Sequence, residues 1–576
     1  MSVAELPAQE RVSGTFVESA SGSLVSALLE EQQTTAVERF AQCHESAGEP
    51  LLTGQYRDLI PLTKPAPGEQ YAFDVDLDSC SGCKSCVVAC HNLNGLDEGE
   101  HWRSVGLLHG GTEQLPALQH VTSACHHCVE PSCLSGCPVL AYDKDPLTGI
   151  VRHLDDQCIG CQYCIFMCPY DVPQYSSSRG IVRKCDMCHD RLAVSEAPAC
   201  VQSCPNQAIR IRNVSIDAVV EESETNQFLP AAPEPGITLP TTVFRSQKPL
   251  PRNFLPADYF SANRQHSHMA LVVMLVLTQM SAGAFMVGQV LVSGPWADSI
   301  TLSAIRPTFA IAGMIVAFVG MNAAVFHLGR PLYAFRALLG IRTSWLSREI
   351  LAFAVFAAFA MANAVAVWFA KDYPSMIPWA DRLGFLTAAS GLIGVICSVM
   401  IYVKTHRPFW NLHRTGGTFL LTAAVLGIPI ALLVSLLACY WSNELITQSI
   451  MEGYGQSLCR CLMIAVAAKL ALEGSVLMWL KGRRFTPLKR TALLLSGEMS
   501  MASMLRCFFA FMGGLLLPMV LLSEKATMGG DAGYDPLFMG LIVLLITGLL
   551  LIGELVERYL FFAASVAPKM PGAPCT

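Results

Sequence analysis

Sixteen of the chain's 23 cysteines fall into four groups of four: Cys80, Cys83, Cys86, Cys90; Cys125, Cys128, Cys133, Cys137; Cys158, Cys161, Cys164, Cys168; and Cys185, Cys188, Cys200, Cys204. A cubane 4Fe-4S cluster needs four thiolates around it; a C-x2-C-x2-C loop wraps one corner, and the last ligand arrives from elsewhere. When two clusters share a fold, that last ligand is a cysteine before proline at the end of the other run. Pro138, Pro169 and Pro205 follow their cysteines, while the first group departs from the pattern with His91. The spacing predicts four 4Fe-4S clusters.

Two other metal chemistries compete for the same atoms. The CHHC at Cys125 to Cys128 and the CDMC at Cys185 to Cys188 could each be half of a four-cysteine zinc site. Zinc does not explain the repeated third cysteine or the fourth one before proline. Cys185-Asp186-Met187-Cys188-His189 also fits the C-x-x-C-H signature of covalent haem, but haem there orphans Cys200 and Cys204 and leaves a partner run short of a ligand. The spacings likewise favour metal thiolates over a secreted disulfide framework. Cys43, Cys397, Cys439, Cys459, Cys461, Cys507 and Cys575 follow no repeated spacing and read as buried small apolar side chains in or near helices.

The thiols must be held by a domain of short elements. Residues 71–215 contain β-prone pieces such as Ile150 to Arg152 and Ala208 to Arg212 beside the cysteine runs, which suits hairpins and short helices folded around inorganic clusters. Such a domain has little core of its own, so metal supplies much of its folding energy. Residues 1–70 are an N-terminal extension, with amphipathic helical turns expected over Ser21 to Cys43 and a linker over Pro61 to Gly68. Residues 216–265, including the Pro/Ala/Glu-rich Leu229 to Pro240, form a connector. The amino terminus lacks a basic region followed by an apolar one and lacks a twin-arginine pair, so export would depend on a partner's signal or on membrane insertion.

Residues 266–576 change character. The sequence is 52% apolar and 15% charged with a net charge of -6, a balance ordinary for a membrane protein and without the basic patch of a nucleic-acid binder. Eight apolar spans are predicted, at about 269–292, 308–326, 350–370, 383–403, 417–440, 458–480, 505–523 and 536–553. Gly283, Gly313, Gly391 and Gly514 are expected to let neighbouring helices approach closely. The fold class is an α+β ferredoxin-like multi-cluster domain fused to an all-α polytopic membrane domain with eight transmembrane helices.

Charge outside the spans is divided. Arg330, Arg336, Arg342, Arg348, Lys404, Arg407, Arg414, Lys481, Arg483, Arg484, Lys489 and Arg490 follow spans two, four and six, whereas the opposite loops are mainly acidic. The positive-inside rule assigns the basic side, both termini and the iron–sulfur domain to the cytoplasm. The same loops must also face the iron–sulfur domain, so docking is a second reason for them to be basic.

Histidine positions decide what the membrane half carries. All fourteen lie outside the span interiors, so the paired axial ligands of a b-type haem are not expected. Electrons must then pass directly between a cluster and a lipid-soluble carrier, most simply a quinone. His327, at the end of the second span, has the chemistry to hydrogen-bond a quinone oxygen and exchange its proton; the bland alternative is an imidazole satisfied by headgroups or by the Gly329-Arg330 turn. Lys469 and Glu473 lie four apart in span six and read as a buried pair, structural or part of a proton path. Arg460, Arg506, Glu554 and Glu557 are placed near span ends, where they can snorkel.

These motifs resemble a fusion of two subunits of the dimethyl-sulfoxide-reductase family of complex iron–sulfur molybdoenzymes. HHCVEPSCLSGCP and CIGCQYCIFMCPYDVP resemble the four-cluster electron-transfer subunit, and FHLGRPLYAFRALLGIRTSWLSREI with THRPFWN resembles the eight-helix, haem-free anchor. The resemblance implies crossed ligation. Cys80, Cys83 and Cys86 would share a cluster with Cys204, and Cys185, Cys188 and Cys200 with Cys90; Cys125, Cys128 and Cys133 would pair with Cys168, and Cys158, Cys161 and Cys164 with Cys137. The first cluster would lie nearest a catalytic subunit and the last nearest the membrane. Some relatives carry tryptophan in the third run and a 3Fe-4S cluster, but Cys164 keeps the thiolate here. The resemblance further implies a quinol-oxidising role for His327 and a partner subunit with molybdenum or tungsten bis-pterin; in exported relatives the soluble subunits face away from the cytoplasm.

The expected function is electron transfer and membrane anchoring: menaquinol or ubiquinol oxidised near His327, with electrons passed to a molybdopterin subunit for terminal substrate reduction. Two alternatives use the same residues. The wire can run in reverse, from substrate oxidation to quinone reduction, or the membrane half can move protons through the Lys469/Glu473 region.

Overall fold

The structure is a computed structural model that describes residues 38, 42, 56–225, 228–294, 299–440, 454–527 and 536–572. Two compact units divide the protein, Met1–Asp58 and Leu59–Thr576. In the first, the helical turns expected over Ser21 to Cys43 lie outside the described residues except Glu38 and Gln42, which are helical. The second holds both the cysteine-rich region and the membrane helices.

The cysteine-rich region consists of short elements. Strand β1 (Glu69–Asp76) begins where the irregular Pro61 to Gly68 stretch ends. Strands β2 (Ser104–Gly111) and β3 (Pro116–Ser123) form a hairpin; β4 (Tyr142–Lys144) pairs with β5 (Val151–His153), and β6 (Gln174–Ser176) with β7 (Ile181–Arg183). Strand β8 (Ile209–Ser215) closes antiparallel on β1, with Phe73 opposite Ile211.

The connector does more than link. Its β9 (Val243–Arg245) lies parallel to β1 on the edge opposite β8, and its β10 (Leu255–Pro256) extends the β2/β3 sheet. The tail beyond the last span also returns to this region: Met570 is buried, and Gly572 sits so close to the Leu107 backbone that a Cβ would collide. Lys569 pairs with Asp258 at 2.7 Å. Sequence periodicity carries no sign of such a return because the contact is with backbone rather than with an apolar face.

Among the described residues eight helices are long and apolar enough to cross a membrane: Met269–Ser293, Ile305–His327, Trp345–Ala370, Pro374–Val403, Leu412–Ala438, Gln456–Lys481, Ser500–Ser523 and Leu537–Ala563. They match the predicted spans in number and order. Spans one and five make the closest backbone approach, where Gly283 faces Ala423 and Gly427 with no room for a side chain. Small residues at such a crossing let dispersion contacts form where lipid removes the hydrophobic driving force. In span seven the helix loosens to π geometry over Met512–Leu516, and Gly513 and Gly514 pack against Leu549 and Val466 there.

Candidate functional site

The cysteine loops turn by left-handed backbone at recurring places. Lys84, Gln162 and Cys188 have φ of 64°, 60° and 49°, each at the end of a C-x2-C and at the start of a helix, Ser85–Asn94, Tyr163–Met167 or His189–Ala193. The turn brings the third cysteine of the first and third runs, Cys86 and Cys164, back toward the first two on a helical turn. Cys137 and Cys168 then adopt extended backbone, ψ 120° and 118°, because a residue before proline is excluded from the helical region. The runs therefore end by projecting their last thiol away from their own loop.

The thiols meet across runs. Cys80 has Cys83, Cys86 and Cys204 as its thiol neighbours, and Cys90 has Cys188 and Cys200. Cys168 stands beside Cys133 and Cys125, while Cys137 stands beside Cys158 and is a neighbour of both Cys161 and Cys164. Backbone N–H groups also point at sulfur: Ala141 at Cys137 (3.2 Å), Gly160 at Cys158 (3.4 Å), Met187 at Cys185 (3.4 Å) and Ala208 at Cys204 (3.3 Å). Such donors stabilise thiolate charge.

The donor set, cysteine thiols in four runs, suits iron–sulfur clusters. Among the described residues no three His, Cys, Asp or Glu side chains close on one point as a mononuclear metal requires. The histidines in the cysteine motifs are engaged elsewhere. His126 bonds Thr242 Oγ1 at 2.8 Å, and burial, aided by Arg103, lowers it to about 3, so it stays neutral. His127 Nδ1 accepts from the Val151 N–H at 3.0 Å, and His189 pairs with Asp186 at 3.1 Å.

Where the third run meets the membrane helices, three glycines make a backbone junction. Gly160, Gly180 (φ of 70° and 67°) and Gly329 touch one another closely enough that a Cβ at any of them would strike backbone. Arg330 continues the contact, its N–H donating to Ile159 O at 3.1 Å and its guanidinium to Asp155 O at 2.8 Å. Arg336 donates to Asp156 O at 2.8 Å, the Gly340 N–H to Pro138 O at 2.7 Å and Ser344 to Gly136 O at 2.7 Å. Tyr163 donates to Ile401 O at 3.0 Å. The basic loop after span two thus docks the iron–sulfur region through carbonyl groups, the second of the two reasons given for its charge.

Under this junction lies a cavity of about 290 Å³, lined chiefly by apolar side chains and by Cys161, Tyr163, His327, Glu349, Phe353 and Tyr402. His327 ends the second span in a 3-10 turn, Ala324–His327, and its buried Nδ1 has no hydrogen-bond partner. Glu349, 2% exposed, accepts a short hydrogen bond from Ser398. Sequence reading singled out His327 and missed Glu349. The available signal was a carboxylate one turn inside a span, hidden because its neighbour Arg348 was grouped with the basic loop.

A second polar centre lies among spans five to eight. Lys469 is completely buried and pairs with Glu554, with Glu557 at 3.7 Å and Glu473 at 3.9 Å. Arg506 bridges Glu473 and Glu554, each at 2.9 Å, and Arg558 lies 3.4 Å from Glu557. Arg506, Glu554 and Glu557 therefore do not snorkel: they are 3%, 0% and 6% exposed, because helix packing gives each an opposite charge within the bundle. Arg460 remains exposed. The Lys469 and Glu473 pair is one edge of a six-charge network. Of the scattered cysteines, Cys397 and Cys459 are buried as expected, whereas Cys461 and Cys507 face outward; Cys43 and Cys575 lie outside the described residues, and so does the side chain of Cys439.

Comparison with known proteins follows the same division. The family model of the 4Fe-4S dicluster domain matches residues 117–214, and that of the DMSO reductase anchor subunit (DmsC) matches residues 263–563. The sequence is 33% identical over 189 residues to the B subunit of anaerobic dimethyl sulfoxide reductase from Haemophilus influenzae, covering 31% of this protein and 91% of that one. It is 37% identical over 148 residues to the B subunit of the Escherichia coli enzyme, covering 24% and 72%. A formate dehydrogenase iron–sulfur subunit of Haemophilus influenzae is 34% identical over 153 residues, covering 24% and 49%.

Proposed function

Since this protein belongs to the DMSO reductase anchor subunit (DmsC) family and carries an iron–sulfur region ahead of the anchor, we propose that it oxidises membrane quinol and passes the electrons to a molybdenum or tungsten bis-pterin subunit. The molecule is an iron–sulfur electron-transfer protein fused to a multi-pass membrane anchor. Four 4Fe-4S clusters, held in the crossed sets described above, make the path. The carrying observation is that His327, with a buried unpartnered Nδ1, lines the same cavity as Cys161.

When bound, the clusters accept and release electrons one at a time. The protein's own residues do the rest. The apolar wall of the cavity excludes water and takes the quinol ring. His327 Nδ1 accepts a hydrogen bond from one quinol hydroxyl and takes its proton, and Glu349, oriented by Ser398, is the acceptor for the other. Each quinol converted to quinone gives up two protons and two electrons, and the electrons leave through the set that includes Cys161.

The test is quinol oxidation by the complex purified with its partner. His327→Ala should slow it by about 10²-fold or more, in the range of lost general-base catalysis, with the electron paramagnetic resonance signals of the reduced clusters unchanged. Undiminished turnover sinks the assignment, and a partner without a bis-pterin metal sinks the proposed destination. The similarity to a formate dehydrogenase subunit favours one second reading, the same path run from substrate to quinone. Measuring turnover in both directions with the native partner distinguishes them.

The iron–sulfur domain is assigned to the cytoplasmic side. Arg330 and Arg336 are spent on docking, but Lys481, Arg483 and Arg484 on the same side remain exposed, which supports a charge bias independent of docking.

A further inference from the structure

Two cations are sealed inside the iron–sulfur domain without a carboxylate partner. Arg103 and Lys184 are each 2% exposed, and neither forms a salt bridge among the described residues. Arg103 donates to Thr122 Oγ1 at 3.1 Å and lies 4.6 Å from the centre of the Phe73 ring, while its Nε and Nη2 find no acceptor. Lys184 donates only to backbone, to the carbonyls of Val151 and, at 2.9 Å, Cys185. An unpaired interior charge is costly enough that native proteins pair or neutralise it. Here the counter-charge has to come from what the thiols hold.

Their surroundings are thiols. The strongest electrostatic neighbours of Arg103 are Cys200, Cys86, Cys185 and Cys90; those of Lys184 are Cys125, Cys133 and Cys185, followed by Asp186. Arg103 thus stands between the set of Cys80, Cys83, Cys86 and Cys204 and the set of Cys90, Cys185, Cys188 and Cys200. Lys184 stands between that second set and the set of Cys125, Cys128, Cys133 and Cys168. Beside the set nearest the cavity stands His153, already bonded to the Asp155 carboxylate at 2.8 Å.

We propose that Arg103 and Lys184 are the built-in counter-charges of the electron path: they bracket the cluster held by Cys90, Cys185, Cys188 and Cys200 and raise its reduction potential. The inference rests on the four-cluster reading. A thiolate-ligated cluster gains one negative charge on accepting an electron, and net charge is among the factors that set its potential. Fixed cations at short range and low dielectric favour the reduced form. Placed at two successive junctions, they draw electrons from the quinol end toward the second set.

The experiment is a redox titration of the purified complex followed by electron paramagnetic resonance, in the wild type and in Arg103→Met, Arg103→Lys, Lys184→Met and Lys184→Arg. The methionine variants should shift the midpoint potential of the bracketed cluster downward, the charge-keeping variants should restore it, and the cluster involving Cys161 should shift least. Loss of a cluster in a methionine variant with retention in its charge-keeping counterpart supports the same conclusion at the level of assembly. Loss in both assigns the residues to packing and overturns it. Full cluster content with unshifted potentials in both methionine variants also overturns the inference alone, whereas a wild-type protein without four clusters overturns the reading beneath it.

Discussion

Cys161 and His327 line one cavity, the first brought by a loop of the iron–sulfur domain and the second by the last turn of a membrane helix. The backbone junction of Gly160, Gly180 and Gly329 holds these two residues together. The proposed quinol site and the proposed first cluster are therefore positioned by the docking of the two regions.

Glu349 is expected to matter as much as His327. Glu349→Gln keeps the shape and the Ser398 contact but removes the proton acceptor, so quinol oxidation should fall by about 10²-fold. Ser398→Ala should have a smaller effect of the same kind. Steady-state turnover with clusters verified by spectroscopy measures both.

Gly329→Ala places a methyl group against the Gly180 carbonyl and 2.8 Å from the Tyr175 hydroxyl. The junction must open, at a cost of about 1–3 kcal/mol for overpacking. Reduction of the clusters by quinol should slow, while their reduction by dithionite should not. Equal rates for both reductants in the variant and the wild type would contradict this.

Crossed ligation has a spectroscopic signature. Cys204→Ser should perturb the same cluster signal as Cys80→Ser, although Cys204 is far closer in sequence to Cys200. If it instead reproduces the effect of Cys185→Ser, the pairing is wrong.

Lys469→Met leaves Glu554 buried beside Arg506 alone and should destabilise the membrane domain by about 3–5 kcal/mol, the usual cost of breaking a buried pair. Lys469→Met with Glu554→Gln should recover part of that loss in a detergent melting experiment. If the single variant folds normally and instead separates proton movement from electron transfer, the network is a proton path rather than a structural lock.

Fusion of a fluorescent reporter after Thr576 tests the side. With eight spans both ends share a side, and the exposed Lys481, Arg483 and Arg484 predict cytoplasmic fluorescence. A reporter that works only outside the cytoplasm reverses the assignment.

Residue spacing and apolar length suffice to read the chemistry and the class of each half. Thiol spacing and following prolines are local constraints, and so is hydrophobic length, since a helix must satisfy its own backbone to cross lipid. These specify iron–sulfur chemistry and eight spans, and they single out a lone histidine at a span end. Which side chains share an environment follows from the packing of distant segments. Glu349 joined His327, the connector and the tail became part of the iron–sulfur domain, and Arg506, Glu554 and Glu557 moved from expected snorkelling positions into a buried network. Arg103 and Lys184 carried no motif at all. In each case the deciding quantity is the position of charges and backbone polar groups from distant parts of the sequence, and linear spacing encodes no distance between them.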